Sequence, residues 1–135
     1  QRYFLLQSEG VLPTDGHHLL FVLGRYHKNQ QSDSQELMPF VNTLMLNTLT
    51  EGNIPQASSV PWALCAFGQQ EQLCLEEAAS MGGDVRVGFE NNLLRSDGTT
   101  ASSNAEQVAG IARSITEMGR NLHSAASLRR HYRLR

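Results

Sequence analysis

The chain has 135 residues, of which 40% are hydrophobic and 18% charged, with a formal net charge of −2. That balance excludes a disordered chain, suits one domain with its own core, and offers no overall electrostatic attraction to nucleic acid or an anionic membrane. Two cysteines, Cys65 and Cys74, fit no zinc or redox spacing and read as small buried hydrophobes of a reducing, cytoplasmic setting.

In chain order, Arg2 to Glu9 reads as the end of an amphipathic helix stopped by Gly10, and Pro13–Gly16 as a turn. Leu19–Leu23 is an unbroken apolar run closed by Gly24, the pattern of a strand covered on both faces. Asp33 stands three residues before Glu36 and is the expected N-cap of a helix through Leu37, Phe40, Val41, Leu44 and Met45. In that helix Pro39 is tolerable only near the first turn. Thr50–Ser59 reads as a loop. A second apolar run, Val60–Phe67, ends at Gly68, and helical spacing follows from Gln69 to Met81, with a stop at Gly82-Gly83. Gln69, Gln70 and Gln72, where that helix begins, could offer a polar ligand its N–H groups.

Val85–Phe89 is expected as the third strand, with Arg86, Gly88 and Glu90 on one face and Val85, Val87 and Phe89 on the other. Charges on a strand face are costly in a core unless paired or metal-bound. At the C-terminal end of a parallel strand they are where α/β enzymes hold their chemistry. A loop around Asp97-Gly98 leads to a cap at Ser103 or Asn104. The clearest helix, Ala105–Met118, carries Val108, Ile111, Ala112 and Ile115 on one stripe and stops at Gly119; a short helix over Ser124–Tyr132 follows. Arg129, Arg130, Arg133 and Arg135 crowd the last seven positions, where a helix end favours cations. Strands alternating with helices imply right-handed parallel βαβ units in one α/β region over residues 1–135. No apolar run is long enough to span a membrane. A chain opening at Gln1 without an initiator methionine is expected to be part of something longer.

Three segments in order, Phe21-Val22-Leu23-Gly24, Trp62 to Gly68, and Arg86-Val87-Gly88-Phe89-Glu90-Asn91-Asn92, resemble the β-keto acid cleavage enzymes, the family typified by 3-keto-5-aminohexanoate cleavage enzyme. Asn104 to Glu106 and Gly119-Arg120 continue the likeness, which runs from about Tyr3 to Leu134. The resemblance implies a partial TIM barrel: the last three βα units of a (β/α)₈ fold, preceded by a helix. A closed barrel takes roughly 250 residues, so this chain does not close one alone. The activity implied is zinc-dependent condensation of a β-keto acid with acetyl-CoA to acetoacetate and a new CoA thioester. Partners would then be a small β-keto acid and a CoA ester, with no nucleic acid and no membrane, and the assembly either a homo-oligomer or one completed by a missing N-terminal half.

Residue by residue, the resemblance makes Glu90 a metal ligand and Arg86 the catalytic arginine. Asn91 stands at the catalytic position where the family has an aspartate. Asparagine neither takes a proton nor carries charge, so a catalytically degenerate relative that binds a ligand or a partner is the alternative function. The family's other zinc ligands come from a His-x-His that this sequence lacks. His17 and His18 are adjacent, and His27, His123 and His131 are scattered. For Gly24 and Gly68 two readings stand: plain strand stops, or backbone positions approached by the CoA co-substrate. Without the resemblance, Arg86 and Glu90 would equally read as a structural ion pair. An unrelated domain for a phosphorylated ligand ranks last, because neither G-x-G-x-x-G nor a P-loop is present.

Overall fold

The structure, a computed structural model, describes residues 2–13, 15–49 and 60–132. The expected loop at Thr50–Ser59, residue Thr14 of the first turn, and Arg133 and Arg135 lie outside them. Helix α1 (Arg2–Ser8) precedes strand β1 (Leu19–Leu23). A 3₁₀ turn over Ser34–Leu37 leads into α2 (Met38–Leu49). Then come β2 (Trp62–Ala66), α3 (Glu71–Ser80), β3 (Asp84–Val85), α4 (Asn104–Glu117) and α5 (Ala125–His131). The three strands are parallel in the order β1-β2-β3, with Leu19 beside Trp62, Leu23 beside Ala66 and Leu64 beside Val85. The result is an unclosed α/β arrangement of three parallel strands and their helices, consistent with a partial barrel of the TIM type.

The core explains this layering. Trp62, Leu64 and Ala66 alternate onto one face of β2 and pack against Val41 and Leu44 of α2, Cys74, Leu75, Ala78 and Ala79 of α3, and Ile111 and Ile115 of α4. Burying the Val, Leu and Ile side chains among these contributes roughly 1.5–3 kcal/mol each. Leu23 joins that cluster and Phe21 packs against it. Leu20, which alternates to the opposite face, is 45% exposed. The expectation that β1 is covered on both faces therefore fails. The helices that share the core pack on one face, and β1 is an edge.

Pro39 breaks the helix expected from Asp33 into two pieces. Asp33 caps as expected, its side chain accepting from the Gln35 N–H. Proline has no N–H to give an i−4 carbonyl, so the first turn is 3₁₀ and Met38 N–H bonds Gln35 O before α2 begins. Trp62 is a packing residue, 5.6 Å from Phe21. It also dictates Gly83, where a Cβ would stand 2.5 Å from the indole ring. Gly82, at φ +91°, ends α3 as expected. In α4 Ile111 and Ile115 are buried while Val108 is exposed, so the buried stripe is narrower than its spacing suggests.

The main departure is β3. Its ladder ends at Val85, and Arg86 N–H makes the last bond to β2, 2.8 Å from Leu64 O. Gly88 then takes φ +154° and the chain turns, with Asn91 N–H bonding Gly88 O at 2.9 Å. Arg86, Gly88 and Glu90 do not lie on one face of a strand over Val85–Phe89. Val85 and Val87 do reach the core, while Phe89 is exposed.

Candidate active site

The Gly88 turn lies at the C-terminal ends of the strands, and Asn104 of α4 fixes it. The Asn104 side-chain oxygen accepts from Phe89 N–H at 3.1 Å and lies where a Cβ on Gly88 would be 3.0 Å away. Substitution at Gly88 would therefore meet both the cap and a backbone region that L-residues avoid. The turn brings Glu90 back to Arg86 across four residues, and their side chains form an ion pair. Arg86 is 42% and Glu90 73% exposed. Both face a cleft of about 280 Å³ bounded by Arg86, Val87, Glu90, Asn91 and Asn104. The Glu90 carboxylate holds the Arg86 guanidinium above its ordinary value.

Behind this exposed pair lies a buried polar layer. Asn91 and Asn92 are both buried. The Asn92 amide N–H donates to Glu71 Oε2 at 3.1 Å and to Leu94 O at 2.7 Å, while its oxygen accepts from Leu94 N–H at 2.9 Å. Asn91 donates to Arg86 O at 3.4 Å. Glu71, at 3% exposure, is the group that sequence reasoning missed. Burial pushes its carboxyl up. The hydrogen bond from Asn92 pulls the other way. Its Oε1, like the Asn91 side-chain oxygen, is buried without a hydrogen-bond partner.

A second cleft, about 270 Å³, opens between α3, α4 and the loop after the turn; Glu71, Gln72, Arg95, Glu106 and Gln107 border it. Arg95 and Glu106 form a two-pronged bond, Nε–Oε1 at 2.6 Å and Nη2–Oε2 at 3.0 Å. Ser102 adds its N–H and hydroxyl to Glu106 Oε2. The Arg95 guanidinium and these Ser102 donors bring the Glu106 carboxyl down to about 2. This clamp seats the Asp97-Gly98 loop at the start of α4, where Ser103 caps Glu106 N–H.

Gly24 and Gly68 end β1 and β2 at φ +78° and +82°, and the chain itself fills the space beside them. A Cβ on Gly24 would lie 2.8 Å from the Gln31 carbonyl carbon, and one on Gly68 2.6 Å from Gln30 O. Ser32 pins this loop through its N–H and hydroxyl to Phe67 O. The α3 N-terminus is similarly committed: Gln69 N–H bonds Gln31 Oε1, the Gln69 amide bonds Ser96 O, and the Gln72 amide reaches Glu76.

Four of the five histidines lie elsewhere, and His27 is exposed in the loop after β1. His17 bonds Pro13 O, His18 lies 3.3 Å from Asp84 at the opposite strand end, and His123 and His131 pair near α5. No three His, Cys, Asp or Glu side chains group as a metal site among the described residues. Glu90 is a single carboxylate already engaged by Arg86, whereas a catalytic zinc takes three protein ligands and an open position. The described residues alone therefore do not fit zinc.

The family profile for beta-keto acid cleavage enzymes matches residues 1–134. The chain belongs to the β-keto acid cleavage enzyme family. Two relatives are named 3-keto-5-aminohexanoate cleavage enzyme. The protein from Fusobacterium nucleatum is 37% identical over 70 residues, 52% of this chain and 25% of its own length. The one from Acetoanaerobium sticklandii is 36% identical over 78 residues, 58% of this chain and 28% of its own length. The aligned part of this family member thus spans about a quarter of the length of the curated relatives it matches.

Proposed function

We propose that this chain is part of an enzyme that condenses a β-keto acid with acetyl-CoA, releasing acetoacetate and a new CoA thioester. Family membership supports the β-keto acid cleavage class. The observation that carries the finer reading is the Arg86–Glu90 pair, facing an open cleft at the C-terminal strand ends in a segment that resembles the family's catalytic motif. In this reading Arg86 presents its N–H donors to substrate oxygens, and Glu90 gives one carboxylate to a zinc whose other ligands lie outside the described residues. The rest of the sheet comes from a preceding half or from a second copy in a homo-oligomer, because the free edges of β1 and β3 call for cover. A cytoplasmic setting accords with two free buried cysteines. No helix among the described residues is long and apolar enough to cross a membrane.

The test is acetoacetate release from acetyl-CoA and a panel of β-keto acids by the complete protein. Arg86→Ala and Glu90→Gln should each lower turnover by at least about 100-fold, the range for losing a charge-stabilising group. Turnover unchanged in both variants would overturn the reading. A second reading rests on Asn91, whose uncharged amide takes no proton. It makes the chain a degenerate relative that binds the β-keto acid or a partner, and predicts ligand binding without acetoacetate in the wild type.

A further inference from the structure

The loop between β1 and α2 is held at both ends and bare at its tip. Gly24 and Gly68 pack against Gln30–Ser32, and Ser32 is pinned to Phe67 O. Within the loop, His27 N–H bonds Gly24 O at 3.1 Å and Gln30 N–H bonds His27 O at 2.9 Å. The tip between these anchors reads Arg25-Tyr26-His27-Lys28. Tyr26 is 93% exposed, and the Arg25 guanidinium lies 5.9 Å from its ring centroid. Arg25, His27 and Lys28 have no carboxylate partner among the described residues. The loop also sits at the proposed active end, because it leaves the C-terminal end of β1, which runs parallel to β2 and β3. There Arg86 is paired by Glu90, while Arg25 is not.

An exposed aromatic ring beside unpaired cations, on an anchored loop, fits a ligand with a flat base and phosphates. Base stacking on aromatic side chains is favourable, and cations bind phosphate. We propose that the Arg25–Lys28 loop binds the phosphorylated adenosine end of the CoA thioester, with Tyr26 stacking on the adenine and Arg25 and Lys28 on the phosphates. This rests on the reading that a CoA thioester is a substrate. It leaves Gly24 and Gly68 as anchors of the loop rather than as contacts of the cofactor.

The experiment is calorimetric titration of the full chain with adenosine 3′,5′-bisphosphate, with inorganic phosphate and adenosine as separate probes. Binding of the bisphosphate is expected to be at least tenfold tighter than either fragment. Tyr26→Ala and the pair Arg25→Ala/Lys28→Ala should each weaken it about tenfold or more, while Tyr26→Phe retains it. All three positions are exposed, so circular dichroism checks that the fold is kept. Absence of bisphosphate binding, or equal binding by Tyr26→Ala, overturns the proposal. So does equal weakening of binding to inorganic phosphate and bisphosphate in Tyr26→Ala, because stacking needs the base. The activity reading fails separately. Acetoacetate formation with an unchanged KM for acetyl-CoA in Tyr26→Ala contradicts the loop assignment alone. Tyr26-dependent bisphosphate binding without turnover contradicts the reaction alone.

Discussion

The ends of β1 and β2 differ from the end of β3. At the first two, glycines in the left-handed region let the chain's own loop lie against the strand ends, and little space is left. At the third, Gly88 turns the chain outward and the charged pair Arg86–Glu90 borders a cleft, with a buried layer of Glu71, Asn91 and Asn92 behind it. One sheet end therefore holds a closed half, which builds, and an open half, which presents chemistry. The difference shows that a strand's chemical importance does not follow its length. β2 buries all five of its residues, yet the two-residue β3 leads into the motif.

The comparison breaks most sharply at the closed half. Gly68→Ala places a Cβ 2.6 Å from Gln30 O in a backbone region unfavourable to alanine. It should cost on the order of 3 kcal/mol in chemical denaturation. Gly10→Ala, also left-handed but with nothing within 4 Å, should cost only about 1 kcal/mol. Equal losses would mean that close packing does not define the closed half. Next comes the layer behind the motif. Asn92→Ala removes three hydrogen bonds and strands a Glu71 oxygen, for an expected loss of about 2 kcal/mol and a drop in turnover of the complete protein.

Glu71→Gln sharpens the picture through pH. Because burial raises the Glu71 carboxyl in the fold, its contribution to stability is full below the ordinary carboxylate range and is lost as pH rises through the raised value. Glu71→Gln should match the wild type in acid and become the more stable of the two as pH rises, read as thermal midpoints from pH 4 upward. Parallel curves would show that Glu71 is not burdened by burial. The smallest effect belongs to Glu106. Its carboxyl, at about 2 in the fold, favours the folded state above the ordinary 4.5 and loses that contribution as pH falls from there toward 2. Glu106→Gln should flatten that acid limb slightly, since Arg95 and Glu106 are both more than a third exposed.

Much of this was legible in the sequence. The apolar runs Leu19–Leu23 and Val60–Phe67 hold β1 and β2, Asp33 caps as expected, the cap expected at Ser103 or Asn104 falls on Ser103, and the glycine stops at Gly10, Gly82 and Gly119 coincide with observed helix ends, because each depends on local chemistry. The resemblance in the motif found the family. What failed depends on distant partners. Alternation over Val85–Phe89 misled because Asn104, fifteen residues beyond Phe89, caps a turn at Gly88. The one-sided cover of β1 followed from where the helices pack. Glu71 is the buried acid that the reading of the Gln69–Met81 helix does not single out. The signal was present, because Glu71 shares the spacing of Cys74, Leu75, Ala78 and Ala79, all of them buried.

The proposal tested most directly is that Glu90 gives one carboxylate to a zinc whose other ligands lie outside the described residues. The most direct measurement is zinc content by elemental analysis of this 135-residue chain and of the complete protein, each with Glu90→Gln. The expected result is little zinc in the chain alone, close to one zinc in the complete protein, and its loss in Glu90→Gln. Stoichiometric zinc in the chain alone, or zinc in the complete protein unaffected by Glu90→Gln, would contradict the claim.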